Sequence, residues 1–387
     1  MSDEPWPARF QQEFARIPDN CDDKDWHPTW CAILSSVFSF DDGYMIAPQT
    51  YSEDGDAYGE GNPAYIIQNE EGVYVLGLEI RKASDMECME KRQSAERDTR
   101  DRMRDCPSVP QFRMICAIGM HCAVFTKDSA TGSITPASVR YHPGHDHEYA
   151  PQDWWNIDIS TAEGRTALGA YFDEAKIMSS ALPRNTFRGH ATLPANSPVP
   201  WSPRLQMIMA TLSSARSISA ASWHPLYWAL LASVFPVDKG YRIVPQIFPA
   251  AHWQYEYIED VVVLVVENEG GIPTIGLEAR RSRGGSFNNS NERALFDRDL
   301  RSRFRVLASP LPKFHLVSAI GTNCCVYTFD QAARSISPSK LPSKGPHPDS
   351  APQSRWNIDL TTLEGKIALK SYLLDAKEMA SSLFIKQ

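Results

Sequence analysis

Asp260, Glu278 and Arg280 are the residues of this sequence whose types and spacing could do chemistry. Asp260 precedes the segment VVVLVVENEGGIPTIGLEAR, and Glu278 and Arg280 lie at its end; an apolar run, a short polar turn and a second strand-like run in it predict a hairpin. With Asn268–Gly271 as the loop, antiparallel pairing sets Val261 opposite Glu278 and Asp260 beside Glu278 and Arg280. Two carboxylates next to a cation suit Mg²⁺, which prefers oxygen ligands. The other interpretation is a charge pair at the end of a sheet.

The surrounding sequence is written twice in the chain. WHPTWCAILSSVFSFDDGYMIAPQ (26–49) returns as WHPLYWALLASVFPVDKGYRIVPQ (223–246). Further pairs follow in the same order: GLEIRK with GLEARR, ERDTRDRMR with DRDLRSRFR, AIGMHCAVFT with AIGTNCCVYT, and WNIDISTAEG with WNIDLTTLEG. Such self-similarity indicates a tandem duplication. We predict a first repeat over 1–182, a linker over 183–222 with a short helix near 204–215, and a second repeat over 223–387.

Each repeat reads as an α/β domain with a mixed sheet, in the order helix, three strands, helix, two strands, helix. The elements that position the hairpin are an opening helix that begins at His-Pro and a charged helix that follows the hairpin. The last helix is expected to begin at a capping box. The predicted ranges are 27–39 and 224–235 for the opening helices, 63–82 and 260–281 for the hairpins, 86–105 and 291–307 for the charged helices, and Ser160–Glu163 and Thr361–Glu364 for the boxes.

This element order, with an acidic residue before one strand and Glu-x-basic on the next, resembles the restriction-endonuclease-like, or PD-(D/E)XK, superfamily. The Arg-rich helix, the AIG strand and the WNID segment are similar to uncharacterised fungal proteins with that fold. The resemblance covers nearly all of both repeats. It implies two α-βββ-α-ββ-α domains packed as a pseudo-dimer, with Asp260 and Glu278 as metal ligands and Arg280 in the position of the family's lysine.

The sequence departs from the family's pattern in both copies. Arg280 cannot release a proton as a lysine can, and the first copy has Asn62 where a metal carboxylate is expected, followed by Glu79 and Arg81. These departures favour a catalytically degenerate protein that binds a protein or small ligand, with the cleft between the repeats as the expected place. The alternative is a metal-dependent nuclease or phosphodiesterase that uses Asp260, Glu278 and Arg280. Mg²⁺ is expected only in the second case, and enzymatic activity is left open.

Charge points to the second repeat for any contact with nucleic acid. Residues 1–200 contain 18 Lys+Arg against 31 Asp+Glu, whereas residues 201–387 contain 21 against 16. Arg298 and Arg301 on the charged helix are therefore candidate ligand-binding residues. Glu79 and Arg81, which correspond in the first repeat to Glu278 and Arg280, are candidate ligand-binding residues as well. The helix also allows self-pairing, because Asp297 and Asp299 stand four residues before Arg301 and Arg303.

The remaining candidates are compositional. The loop YHPGHDHEYAP brings His142, His145, Asp146, His147 and Glu148 together, which could bind Zn²⁺, although a solvent-exposed loop is the simpler interpretation because the second copy lacks these histidines. The eight cysteines form no CxxC pair, which argues against a zinc site of that kind and a disulfide framework. The apolar segments are too short for a membrane span, and the acidic start lacks the features of a secretion signal. We expect a cytoplasmic or nuclear protein without membrane partners, whose oligomeric state the sequence leaves open.

Overall fold

The structure is a computed structural model of the 387-residue chain. It describes residues 22–49, 64–104, 108–138, 150–182, 201–214, 220–248, 261–280, 287–341 and 351–384, together with Trp6, Phe10, Phe14 and Ile17. Contacts within the chain divide it into two compact units, residues 1–188 and 189–387. Each unit contains one seven-stranded sheet with helices packed against it. The prediction of an α/β class with mixed sheets is therefore confirmed, and the equal order of elements agrees with two repeats.

The first unit contains the elements predicted from the sequence and two short strands in addition. Its helices are α1 (Asp23–Val37), α2 (Met89–Arg104) and α3 (Ala162–Ser180), and a 3₁₀ turn (Ala83–Glu87) precedes α2. Its strands are β1 (Met45–Gln49), β2 (Ala64–Gln68), β3 (Tyr74–Arg81), β4 (Ser108–Ile118), β5 (His121–Asp128), β6 (Ile134–Thr135) and β7 (Ile157–Asp158).

The second unit repeats this order after one further helix. Its helices are α4 (Pro203–Ser214), α5 (Ala220–Val234), α6 (Ser290–Leu307) and α7 (Leu363–Phe384). Its strands are β8 (Arg242–Phe248), β9 (Val261–Glu267), β10 (Pro273–Arg280), β11 (Lys313–Ile320), β12 (Asn323–Asp330), β13 (Ser335–Ser337) and β14 (Ile358–Asp359).

One parallel pair lies in the middle of each sheet. The first sheet has the order β1-β2-β3-β4-β5-β6 with β7 on β5, and the second follows the same plan. Strands β3 and β4 run parallel, as do β10 and β11, while the other pairs are antiparallel. A parallel pair needs a crossover, which α2 and α6 supply. These two helices therefore follow directly on the strands that carry the Glu-x-Arg pattern.

The register of the second hairpin differs from the prediction by two residues. Val263, and not Val261, lies opposite Glu278. The side chain of Asn268 closes the turn by accepting from the backbone of Gly270 and Ile272, both at 3.0 Å, and a bulge follows in β10. The turn and the bulge lengthen the connection, which moves the pairing along β9.

The hairpin of the first unit shows the same displacement. Ala64, the first residue of β2, lies opposite Glu79, so Asn62 precedes the paired strand. Asn62 and Asp260 both lie outside the described residues, and so the predicted proximity of these two residues to the Glu-x-Arg pattern stays a prediction.

The opening helices begin earlier than predicted. Since α1 starts at Asp23 and α5 at Ala220, Pro28 and Pro225 lie inside the helices and not in their first turn. In α1 the backbone N–H of Asp22 donates to the carboxylate of Asp25 at 2.9 Å, which secures a start ahead of the proline. Local capping thus overrides the preference of proline for the first turn.

The last helices are capped one residue later than predicted. The hydroxyls of Thr161 and Thr362 accept from the backbone N–H groups of Gly164 and Gly365, at 3.0 and 3.1 Å. The predicted boxes at Ser160–Glu163 and Thr361–Glu364 are therefore wrong. The reason is the aspartate that ends β7 and β14, because its carboxylate already accepts from the N–H of the residue where the box was expected.

The similarity between the units extends to a segment before the opening helix. The helix expected near 204–215 is α4, and it contacts α5. Three buried side chains lead into each unit with the same spacing: Trp6, Phe10 and Phe14 in the first, and Trp201, Leu205 and Met209 in the second. The predicted linker 183–222 thus contains a helix that packs on the second unit. Among the described residues, no helix combines the length and apolarity needed to cross a membrane.

Candidate functional site

Glu278 and Arg280 lie next to each other on one face of β10, as the two-residue spacing predicts. The side chain of Glu278 is fully buried. Its Oε1 accepts from Nε of Arg280, and its Oε2 accepts from Nε of Arg303 on α6. Each oxygen of this carboxylate is thus held by a guanidinium, one from the strand and one from the crossover helix.

Both guanidiniums are held on their other sides too. Arg280 lies 3.5 Å from the carboxylate of Asp299 and 4.6 Å from the centre of the Phe296 ring. Arg303 lies 4.2 Å from the centre of the Phe248 ring on β8. Aromatic faces attract guanidinium groups, and a buried charge is tolerated where a partner compensates it. The cluster links β10 and α6 through paired charges, and it contacts β8 through the ring of Phe248.

The first unit has the same arrangement around Glu79, which is fully buried on β3. Nε of Arg81 donates to Oε1 at 2.6 Å, and Nη1 of Arg102 on α2 lies 2.9 Å from Oε2. The hydroxyl of Thr99 donates to Oε2 at 3.0 Å. Arg81 also donates to the carboxylate of Asp98. We call each set of one glutamate and its two arginines, Glu79–Arg81–Arg102 and Glu278–Arg280–Arg303, a guanidinium clamp.

The clamp of the first unit influences a neighbouring thiol. Burial, together with the negative charge of Glu79, raises the pKa of Cys116 to about 12, whereas Arg81 acts in the opposite direction. In the second unit Ser318 stands across from Cys325 on β12, and its hydroxyl lies 3.3 Å from Nε1 of Trp356. The tryptophans of the two WNID segments, Trp155 and Trp356, are buried, and their rings therefore contribute to packing.

A divalent cation at Glu278 would meet two positive charges at the oxygens it needs. Carboxylate ligands bind Mg²⁺ through lone pairs that are free to approach the ion, and both oxygens of Glu278 already accept from guanidiniums. In the part of the chain that the structure describes, no group of three or more His, Cys, Asp or Glu side chains could hold a metal. Asp260 and the loop with His142, His145 and His147 lie outside that part, so their metal predictions stay predictions.

The candidate ligand-binding arginines of α6 have different surroundings. Arg301 forms a two-pronged pair with Asp297, at 2.8 and 3.0 Å, and donates to the carbonyl of Pro338 at 2.6 Å. Arg298 is half exposed and lies 3.3 Å from Asp299. The predicted pair of Asp297 with Arg301 is confirmed. The pair of Asp299 with Arg303 is wrong, because Arg303 turns inward to Glu278 and Asp299 lies beside Arg280 and Arg298.

A second set of arginine contacts holds the segments that flank residues 139–149 and 342–350. In the second unit Arg293 donates to the carbonyl of Ala351 at 2.9 Å, and Arg301 reaches Pro338. In the first unit the equivalent bonds run from Arg92 to Ala150 at 3.1 Å and from Arg100 to Pro136 at 2.6 Å. Two arginines on one helix, eight residues apart, thus fix both flanks of a connection in each unit.

Arg102 and Arg303 are the members of the clamps that the sequence interpretation missed. They occupy matching positions in the repeated segments ERDTRDRMR and DRDLRSRFR, whose alternating charges favour a solvated or phosphate-binding face. Both arginines are buried, which the charge pattern of the helix does not indicate. The signal in the sequence that could have shown it is an arginine present in both copies next to an apolar helix position. No protein-family model and no curated protein matches the sequence.

Proposed function

We propose that this protein is a catalytically degenerate, nuclease-like tandem-domain protein that acts as a binding module for a protein or small ligand. The observation that supports the proposal most strongly is the clamp at Glu278, a fully buried carboxylate whose two oxygens are both engaged by guanidiniums. In a nuclease of the proposed family this position would hold a metal ion. Here Arg303 supplies the positive charge from within the chain.

The duplication of the clamp supports the same proposal. The first unit lacks the aspartate before its hairpin and still keeps Glu79, Arg81 and Arg102 in contact. A clamp retained where a metal ligand is missing is explained by its contribution to the fold, since it joins the crossover helix to the central strand. A contribution to the fold explains the clamp in both copies, including the copy that lacks this aspartate.

The test is a cleavage assay with Mg²⁺ or Mn²⁺ on single- and double-stranded DNA and RNA. The wild type is compared with Glu278→Gln, which keeps the shape of the side chain, after circular dichroism has shown that both are folded. We expect no metal-dependent cleavage by either protein and no binding of Mn²⁺ by calorimetry. Cleavage that requires the metal and disappears in Glu278→Gln would overturn the proposal and establish the nuclease alternative.

A further inference from the structure

Each unit connects its sheet to its last helix through a polar side-chain pair at the same place. In the first unit a nitrogen of Arg113 on β4 pairs with the carboxylate of Glu174 on α3. The guanidinium of Arg113 also lies 5.1 Å from the centre of the Tyr171 ring, three residues earlier on the same helix. Strand β4 and helix α3 are thus joined by an ion pair and an aromatic contact.

The second unit has the same construction with a histidine in place of the arginine. His315 on β11 places Nε2 at 3.0 Å from the carboxylate of Asp375 on α7. The ring of Tyr372, again three residues earlier on the helix, meets the imidazole edge to face at 5.5 Å between ring centres. The element, the spacing on the helix and the order of the partners all match, and only the chemistry of the pair differs.

The hydrogen bonds around His315 suit a neutral imidazole. Nδ1 lies 2.9 Å from the hydroxyl of Thr328, the residue opposite His315 in β12. A neutral ring with its proton on Nε2 donates to Asp375 and accepts from Thr328, which satisfies both nitrogens; these proton positions are assigned from the network. Arg113 has no such neutral form, because a guanidinium keeps its charge throughout the pH range in which proteins are folded.

We propose that the contact between β11 and α7 is a pH-responsive clasp of the second unit, formed by His315 and Asp375, whose counterpart in the first unit has an arginine in place of the histidine. The charged and titratable groups that face His315 are Asp375 and Tyr372 from α7 and Lys313 from its own strand. Thr328 completes the surroundings from β12. The inference is independent of the proposed binding function.

The direction of the response follows from the surroundings of the imidazole. Burial lowers the pKa of His315 below its usual 6.5, and Lys313 acts in the same direction, while the hydrogen bond and charge of Asp375 raise it. A group whose pKa is lower in the folded state than in the unfolded state binds fewer protons when folded. The stabilisation is therefore present above pH 6.5 and is lost as the pH falls through the folded pKa, so acidification loosens α7 and leaves α3 unaffected.

The experiment compares the two clasps inside one full-length chain. Hydrogen exchange of the α3 and α7 amides is measured at about pH 7.5 and about pH 5.5, a range in which histidine changes charge. The measured exchange rates are corrected for the pH dependence of intrinsic amide exchange. The first variant, His315→Arg with Asp375→Glu, installs the first unit's pair in the second. The matched variant, Arg113→His with Glu174→Asp, transfers the titratable pair to the first unit.

We expect the protection of α7 to fall several-fold on acidification in the wild type while that of α3 stays constant. The first variant should remove this difference, and the matched variant should move it to α3. Equal loss of protection in α3 and α7, or an unchanged loss in the first variant, would overturn the proposal.

Nuclear magnetic resonance of the wild type tests the inference even if neither double variant folds. The imidazole signal of His315, assigned by its absence in the spectrum of the milder single variant His315→Gln and thus separated from those of buried His27 and His224, should titrate below 6.5. Titration at or above 6.5 would contradict the clasp.

Discussion

Arg303 on α6 donates to one oxygen of Glu278 on β10 while Arg280, two residues along the strand, donates to the other. The strand contributes a carboxylate and one cation, and the crossover helix contributes the second cation. Because the three groups are buried, none of them can lose its partner without leaving a charge away from water. The stability of each unit should therefore depend strongly on its clamp.

Removal of the central carboxylate should be costly. Glu278→Ala leaves two buried guanidiniums next to each other, and we expect a loss of about 3–5 kcal/mol in the free energy of unfolding, measured by urea denaturation. The matched control is Glu378→Ala on the exposed face of α7, which should change this free energy by less than about 0.5 kcal/mol. Similar values for the two variants would contradict the role of the clamp.

The two arginines near the end of α6 should behave differently. Arg303→Met removes a partner of the buried Glu278 carboxylate, whereas Arg305→Met changes an exposed side chain two residues later. We expect a loss of about 3 kcal/mol or more for the first and about 0.5 kcal/mol or less for the second, since uncompensated buried charges are strongly destabilising. Thermal unfolding followed by circular dichroism provides the measurement. Had the helix been a solvated face, both changes would be mild.

The position of the cap on α3 can be tested with neighbouring hydroxyls. Thr161→Ala removes the acceptor for the N–H of Gly164 and should cost about 1 kcal/mol of unfolding free energy. Ser160→Ala removes the hydroxyl at the position predicted from the sequence and should cost less than about 0.5 kcal/mol. Chemical denaturation of the two variants distinguishes these positions, and the reverse order would restore the capping box at Ser160.

The raised pKa of Cys116 predicts an unreactive thiol. At about pH 8 a thiol with a pKa of about 12 is almost entirely protonated, and the protonated form is not the nucleophile. Iodoacetamide should therefore modify Cys88, which is partly exposed, well before Cys116 in the folded protein. Mass spectrometry of digested samples measures both sites. Modification of Cys116 at the rate of Cys88 under native conditions would disprove the shift, and in urea the two rates should converge.

Most of the fold can be predicted from the sequence because each element occurs in both repeats and can be compared between them. A hairpin could be predicted from the hydrophobic runs of β9 and β10 and the glycine turn between them. Its register could not, because the register depends on hydrogen bonds that the Asn268 side chain accepts and on a bulge in β10. The place of Glu278 and Arg280 on one strand face followed from the period of two. The inward turn of Arg303 did not, because it depends on a tertiary partner 25 residues away.

The arginine contacts from α2 and α6 to the flanks of residues 139–149 and 342–350 have a consequence for the sequence between them. Each helix holds the chain by backbone carbonyls, at Pro136 and Ala150 in one unit and at Pro338 and Ala351 in the other. A carbonyl offers the same acceptor whatever its side chain, so substitutions between the two held points leave the attachment intact. The two copies differ there, with three histidines between the held points of one and a single histidine between those of the other, without any change in how the helix holds the chain.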